Sequence, residues 1–225
     1  MLKDEDLKFI SHCLPFLKHI DKSDLDIVYS ACSKSILQPG EIIMNEEKEC
    51  RGIVAVNSGQ LRAYFESEDG KEITLYRLLP NDVCILTASC VLKNITFEIT
   101  LEVEKKSTVF SIPAKIWSTL SEKYSSVKEY SIALVNRRFS DVMWVMEQMV
   151  SKNMGQRVAS FLLEQAELEH SRTISVTHEE ISKNLGTARE VISRILKYFE
   201  NDGLLKLSRG RITLTDIGRL KKLGR

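Results

Sequence analysis

Six polar residues crowd one short stretch: Thr187, Arg189, Glu190, Ser193, Arg194 and Lys197. Steps of three and four join Glu190 to Ser193, Arg194 and Lys197, so a helix would carry them on one face. Arginine donates two parallel hydrogen bonds to the major-groove edge of guanine, and glutamate accepts one from the cytosine amino group. Arg194 lies one helical turn beyond Glu190, close enough to pair with it and still reach a base. Two roles stay open for Thr187, as helix cap or as phosphate contact, and one hydroxyl can fill both. Glu190 either completes a capping box or accepts from cytosine. A merely solvated face does not account for Arg, Glu, Ser and Arg gathered at the start of one helix behind a glycine turn.

The elements that must hold these groups follow from the flanking residues. Thr177-His178-Glu179-Glu180 has the form of a capping box and opens a short helix through Ile181 and Leu185. Gly186 supplies a sharp turn, and Thr187-Ala188-Arg189-Glu190 reads as a second capping box starting a longer helix to about Asn201. Val191, Ile195, Leu196 and Phe199 are its expected inward face. Two helices joined by a glycine turn make a helix-turn-helix. Beyond Asn201-Asp202-Gly203, the runs Leu204–Leu207 and Arg211–Leu214 flank Ser208-Arg209-Gly210, a β-hairpin wing whose Arg209 and Arg211 suit phosphate. Net charge is +1 overall, yet residues 177–225 hold eleven Lys/Arg against six Asp/Glu. A basic end on a mildly acidic remainder points to a polyanion partner, double-stranded DNA.

Upstream, Ile132, Val135, Phe139, Val142, Met146 and Met149 alternate steps of three and four, the spacing of a helix seam that faces a partner helix. Asn136, Arg137, Arg138, Ser140, Asp141, Glu147 and Gln148 fall between them and are expected to be wet. The seam predicts a parallel homodimer; the competing expectation is a long helix lying on its own core. Ser151-Lys152-Asn153 breaks the stripe as a hinge, and another amphipathic helix runs from Met154 to His170.

Between about Ser35 and Ile112, turn signals recur at Pro39-Gly40, Asn57-Ser58-Gly59, Asp69-Gly70, Pro80-Asn81-Asp82 and Lys93-Asn94. Short β-branched runs such as Ile53–Val56, Ile73–Tyr76 and Ile99–Leu101 separate them, which predicts a small barrel or sandwich. Asp69-Gly70 is the clearest hairpin. Short helices interrupted at Pro15 precede it, and Pro113 opens a helix through Ile116, Trp117 and Leu120.

The segment Leu185-Gly186-Thr187-Ala188-Arg189-Glu190-Val191-Ile192-Ser193-Arg194-Ile195-Leu196 resembles the recognition segment of the Crp/Fnr superfamily, the regulators related to cAMP receptor protein. The layout agrees over nearly the whole chain. The resemblance implies an α+β fold: an N-terminal β-roll, a cyclic-nucleotide-binding-like jelly roll with short helices, over 1–125; a dimerisation helix over 126–150; and a winged helix-turn-helix over 151–225. It places Arg189, Glu190 and Arg194 where that family reads bases. Glu190-x-x-Ser193-Arg194 is closer to the oxygen-responsive Fnr branch, which implies a TTGAT-like half-site, while Arg189 is more like the cAMP branch with its TGTGA-like half-site. RNA polymerase is an implied partner if the protein activates.

The same resemblance argues against a cyclic nucleotide. Where cyclic-nucleotide members carry a phosphate-gripping Arg-Ser pair, this chain has Phe97-Glu98-Ile99-Thr100, and an acid there repels phosphate. Where they present hydroxyls to adenine, it has Val142 and Met143. The replacements point to an unknown apolar or aromatic effector, or to none. Phe97, Phe139, Val142, Met143 and Met146 are candidate lining, with core and seam as their plain alternative. Cys84 and Cys90, six apart in an apolar run, are either buried thiols or a redox, haem or metal-ligating pair. The iron–sulfur cluster of Fnr needs grouped N-terminal cysteines, and Cys13 stands alone there, so no metal or cofactor is expected.

Other classes fare worse. A cupin-type enzyme needs clustered histidines, and none lies between His19 and His170. A thiol oxidoreductase would show Cys-x-x-Cys, which is absent. A nucleotide-sensing regulatory subunit is opposed by the missing phosphate arginine and by the DNA-reading head. The acidic, broken N-terminus does not read as a signal peptide, no run is long enough for a membrane helix, and five scattered cysteines do not form a disulfide framework. A cytoplasmic protein is expected.

Overall fold

The computed structural model describes residues 2–44, 52–85 and 99–225. They form two compact units: Met1–Phe65 with Leu75–Val142, and Glu66–Thr74 with Met143–Arg225.

In the first unit, helix α1 (Asp4–Cys13), a 3-10 turn (Pro15–His19) and helix α2 (Lys22–Ala31) precede the sheet, and the break falls at Pro15 as its sequence predicts. The strands are β1 (Ser33–Leu37), β2 (Ile42–Met44), β3 (Ile53–Glu66), β4 (Glu72–Leu78), β5 (Val83–Cys84) and β6 (Thr100–Ile112). They form one sheet in the order β1-β6-β3-β4, with β2 on β6 and β5 on β3. The Asp69-Gly70 hairpin joins β3 to β4, closed by Gly70 N–H donating to the Ser67 carbonyl at 2.8 Å.

Asn57-Ser58-Gly59 is not a turn. β3 runs straight through it with register shifts against β6. Gly59 sits at φ +92°, and a Cβ there would fall on Ser107 and the Lys106 carbonyl, so glycine kinks the strand instead of ending it. Lys93-Asn94 lies outside the described residues.

Helix α3 (Ala114–Lys123) begins after Pro113 and buries Trp117 and Leu120. Helix α4 (Ser125–Ser151) follows. Within the first unit its inward face is Val127, Leu134 and Arg138, all buried. Arg138 corrects the expectation that it is wet, since only 4% of it is exposed. The reason is geometric: 127, 131, 134 and 138 make a second stripe of fours and threes, and residue type alone hid its charged last member. This unit's core gathers Leu14, Phe16, Val54, Leu61, Leu101, Phe110 and Trp117.

The second unit contains the end of α4, then helix α5 (Met154–Leu168), strand β7 (Thr173–Ile174), helices α6 (His178–Leu185) and α7 (Arg189–Asn201), strands β8 (Leu205–Ser208) and β9 (Arg211–Leu214), and helix α8 (Ile217–Leu223). α4 gives way to α5 at Lys152-Asn153, where the Asn153 side chain accepts from Gln156 N–H and Gln156 returns the bond to Asn153 N–H. A three-stranded sheet, β7-β9-β8, closes over a core of Val158, Phe161, Leu162, Ile181, Ile192, Leu196, Ile212 and Leu220. Neither β7 nor α8 announces itself in the sequence. One has two residues and the other seven, too few for a period to show.

Candidate nucleic-acid interface

The interface is built on α6. Its capping box forms as expected: Glu180 N–H donates to Thr177 Oγ1 at 3.1 Å, and Thr177 N–H donates to Glu180 Oε2 at 2.6 Å. Glu179 and Glu180 also complement the dipole of this first turn. α6 ends at Gly186, in the left-handed conformation at φ 64° and ψ 43°. The Thr187 N–H is drawn back to the Ser182 carbonyl at 3.1 Å.

That bond corrects the second capping box. Because Thr187 closes α6, α7 starts one residue later, with Ala188 at its N-cap and no side-chain cap. Thr187 is therefore not a helix cap, and Glu190 does not complete a box. Both side chains are released from local duty.

α7 turns Ile192, Leu196 and Phe199 to the core. Ile192 was absent from the expected inward face, whereas Val191 is only half-buried. On the other side Arg189, Glu190, Arg194 and Lys197 are exposed. Lys197 Nζ pairs with Glu200 Oε2 at 2.8 Å, and Glu200 Oε1 accepts from Leu207 N–H at 2.9 Å, which ties α7 to the wing. Ser193 is half-buried, its hydroxyl 2.9 Å from His178 Nδ1. His178 thus links the first turn of α6 to α7. Burial and then the Arg189 charge hold its imidazole below the usual histidine value, so it is biased to the neutral form.

The wing follows its predicted pattern. β8 pairs with β9 from Leu205↔Leu214 to Ser208↔Arg211, leaving Arg209-Gly210 at an exposed tip. A groove of about 470 Å³ runs between α6, α7 and the wing, lined by His178, Glu179, Arg189, Gly210 and Arg211 among others. Arginines on two of its walls, Arg189 and Arg211, make it suited to a phosphate backbone.

From behind, the turn Glu66–Thr74 braces α6. Thr74 Oγ1 donates to Asn184 Oδ1 at 2.6 Å, Lys183 Nζ lies 3.3 Å from Glu72 Oε1, and Ile73 bridges Leu185. Arg157 Nη2 donates to the Leu185 carbonyl at 2.8 Å. No sequence signal ties residues so far apart in the chain.

Along α4, the seam residues Ile132, Phe139, Met146 and Met149 are exposed in the single chain, Phe139 by 65%. Val135 and Val142 are half-buried, and Val135 also packs on the first unit's core. Met143 and Trp144 are exposed too, and Trp144, two residues from both Val142 and Met146, lies on the far side of α4 from the seam. Of the proposed effector lining, Cys84 is buried in β5, while Phe139, Met143 and Met146 lie on the surface of the single chain. Phe97 and Cys90 lie outside the described residues. Burial pushes the Cys13 and Cys32 thiols up to about 11, aided by Asp82 and Asp6 respectively. Among the described residues no helix is long and apolar enough to cross a membrane.

Residues 156–223 match the family described as a Crp-like helix-turn-helix domain, and residues 35–124 the cyclic nucleotide-binding domain. A crystal structure of a Crp/Fnr-family transcriptional regulator from Eubacterium rectale is 42% identical, with a TM-score of 0.91 over 94% of this chain and 98% of that one. This chain belongs to the Crp/Fnr family. Regulatory protein HlyX of Actinobacillus pleuropneumoniae is 26% identical over 217 residues, 92% of this chain and 88% of HlyX. The fumarate and nitrate reduction regulatory protein of Vibrio cholerae is 26% identical over 228 residues, 97% of this chain and 89% of that protein. Crp/Fnr proteins are transcription regulators and not enzymes, so the cupin and oxidoreductase readings fall away.

Proposed function

We propose that this Crp/Fnr regulator binds DNA as a homodimer, reading a palindrome of TTGAT- or TGTGA-like half-sites under control of an effector that is not a cyclic nucleotide. The observation that carries this is the exposed row Arg189, Glu190 and Arg194 on α7 beside the basic wing tip. Arg194 donates to guanine, Glu190 accepts from cytosine, and Arg209 and Arg211 hold phosphate. Thr187, freed from capping, is left to the backbone. The exposed α4 stripe supports the dimer, because an apolar face this long is covered by a second copy in a parallel pair. Two heads then stand about 34 Å apart, one helical turn of DNA. The break at Lys152-Asn153 is where a change in α4 packing would re-aim them. An activator of this kind would also contact RNA polymerase.

The test is titration of purified protein against a duplex with two TTGAT-like half-sites and against a scrambled duplex. Arg194→Ala is expected to cost about 1–3 kcal/mol at one base pair and to relax preference there. Equal affinity for both duplexes refutes specific readout.

A second reading, redox or gas sensing through Cys84 and Cys90, draws on the names of the relatives, several of which are anaerobic regulatory proteins. Cys84 is buried. Thiol titration of the native protein separates the two readings: rapid reaction at Cys84 or Cys90, with loss of DNA binding, favours the sensor.

A further inference from the structure

Arg138 sits inside the first unit with two of its three guanidinium nitrogens unpaired by hydrogen bonds among the described residues. A guanidinium has five N–H donors, and burying it is costly unless they are met. Its Nη1 donates to Asp141 Oδ2 at 2.8 Å. Its Nε and Nη2 are buried and, among the described residues, have no hydrogen-bond partner. Asp82 is a further acid beside it, and its Oδ1 stays 3.8 Å from Nη2. That carboxylate is committed elsewhere: Oδ2 accepts from Leu79 N–H at 2.9 Å, and Oδ1 lies 3.2 Å from Arg137 Nη1. One face of the guanidinium lies 4.6 Å from the centre of the Tyr76 ring. Tyr76 is buried, and burial with the neighbouring Cys84 raises its phenol well above the usual value, so the ring stays neutral.

The same protein shows what an Nε/Nη2 edge is for. Arg77, next to Tyr76 in β4, uses it to grip Glu104: Nε donates to Oε2 at 2.8 Å and Nη2 to Oε1 at 3.1 Å. Burial alone would raise that carboxyl, but the Arg77 charge and hydrogen bonds, with help from Gln60 and Arg62, hold it below its ordinary value. Arg138 offers the same two-donor fork, buried, stacked on an aromatic ring and, among the described residues, without a hydrogen-bond partner.

We infer that the Nε/Nη2 edge of Arg138 is the receptor for the carboxylate of a small-molecule effector. Two parallel N–H donors match the two oxygens of a planar carboxylate. Charge sets the class further. Arg137 and Arg138 already face Asp82 and Asp141, so the cluster is neutral before the ligand enters. One added negative charge can be held by the fork, whereas a phosphate dianion meets two fixed acids. A monocarboxylate is therefore the fitting ligand, in place of the apolar effector expected from the sequence. Since α4 carries both Arg138 and the seam, such a ligand would act on the dimer helix directly. This deepens the proposed effector control and rests on it.

The experiment uses the full chain, with benzoate and phenylacetate as probes, benzamide as the neutral control and inorganic phosphate as the dianion. Binding is read by thermal shift and by the Arg138 Nε–H resonance, assigned through Arg138→Lys. Both carboxylates are expected to raise the Tm and move that resonance, while benzamide and phosphate do neither. Arg138→Lys keeps the charge without the fork and is expected to weaken carboxylate binding about tenfold to a hundredfold. Arg138→Gln, checked for folding by circular dichroism, should abolish it. Silence of the Nε–H resonance with both carboxylates, or equal binding by Arg138→Lys, overturns the inference. Titration of the same samples with the palindromic duplex, without ligand, reports separately on DNA reading.

Discussion

Replacing Gly186 with alanine puts a Cβ on a backbone at φ +64°, between the two helices that make the DNA-reading head. The left-handed conformation costs an L-residue about 1–2 kcal/mol. The new methyl would also meet Ile73 Cγ1 at 2.5 Å and Cδ1 at 3.0 Å. Overpacking of this kind costs about 1–3 kcal/mol, and moving Cγ1 aside requires a χ1 change in a β-branched residue, which is stiff there. Together the second unit should lose about 2–5 kcal/mol, or roughly 10–40 °C in Tm for a unit of this size. The assay is calorimetric unfolding of wild type, Gly186→Ala, Ile73→Ala and the double variant. In the Ile73→Ala background the clash is gone, so Gly186→Ala should cost only the backbone share, about 1–2 kcal/mol. An identical penalty in both backgrounds removes Ile73 from the explanation, and a neutral Gly186→Ala refutes the reasoning altogether.

Three further outcomes follow from the same geometry. Arg209→Ala, at the wing tip, should weaken binding evenly across sequences and lower the salt slope by about one; a sequence-dependent loss would mean that it reads bases. Phe139→Glu places a charge in the middle of the exposed α4 stripe and should yield monomers in sedimentation with each unit still folded. An unchanged dimer would put the interface elsewhere. His178 has its pKa depressed in the folded state by burial and by Arg189, so the unfolded chain binds more protons just below the ordinary histidine value. Stability should fall as pH drops through about 6.5 and level off below the folded pKa, and His178→Ala should flatten that slope in acid unfolding curves.

Local patterns in the chain were enough for the parts whose physics is local. The Thr177 capping box, the Gly186 turn, the outward placement of Arg189, Glu190 and Arg194, the Asp69-Gly70 hairpin and the apolar stripe on α4 all follow from spacing and residue type, because each depends on neighbours a few positions away. Where two local demands competed, spacing alone could not choose: Thr187 had the residues of a cap but was taken by the end of α6. Asn57-Ser58-Gly59 had those of a turn but became a strand kink, because β6 pairs along both sides of it. Tertiary structure alone decided the rest. The burial of Arg138 on the Tyr76 ring, the meeting of His178 with Ser193 and the bracing of α6 by Glu66–Thr74 join residues from 15 to 110 positions apart. No periodicity records such meetings, since they arise only when separately formed elements pack and bring the charge of one against the ring or carbonyl of another.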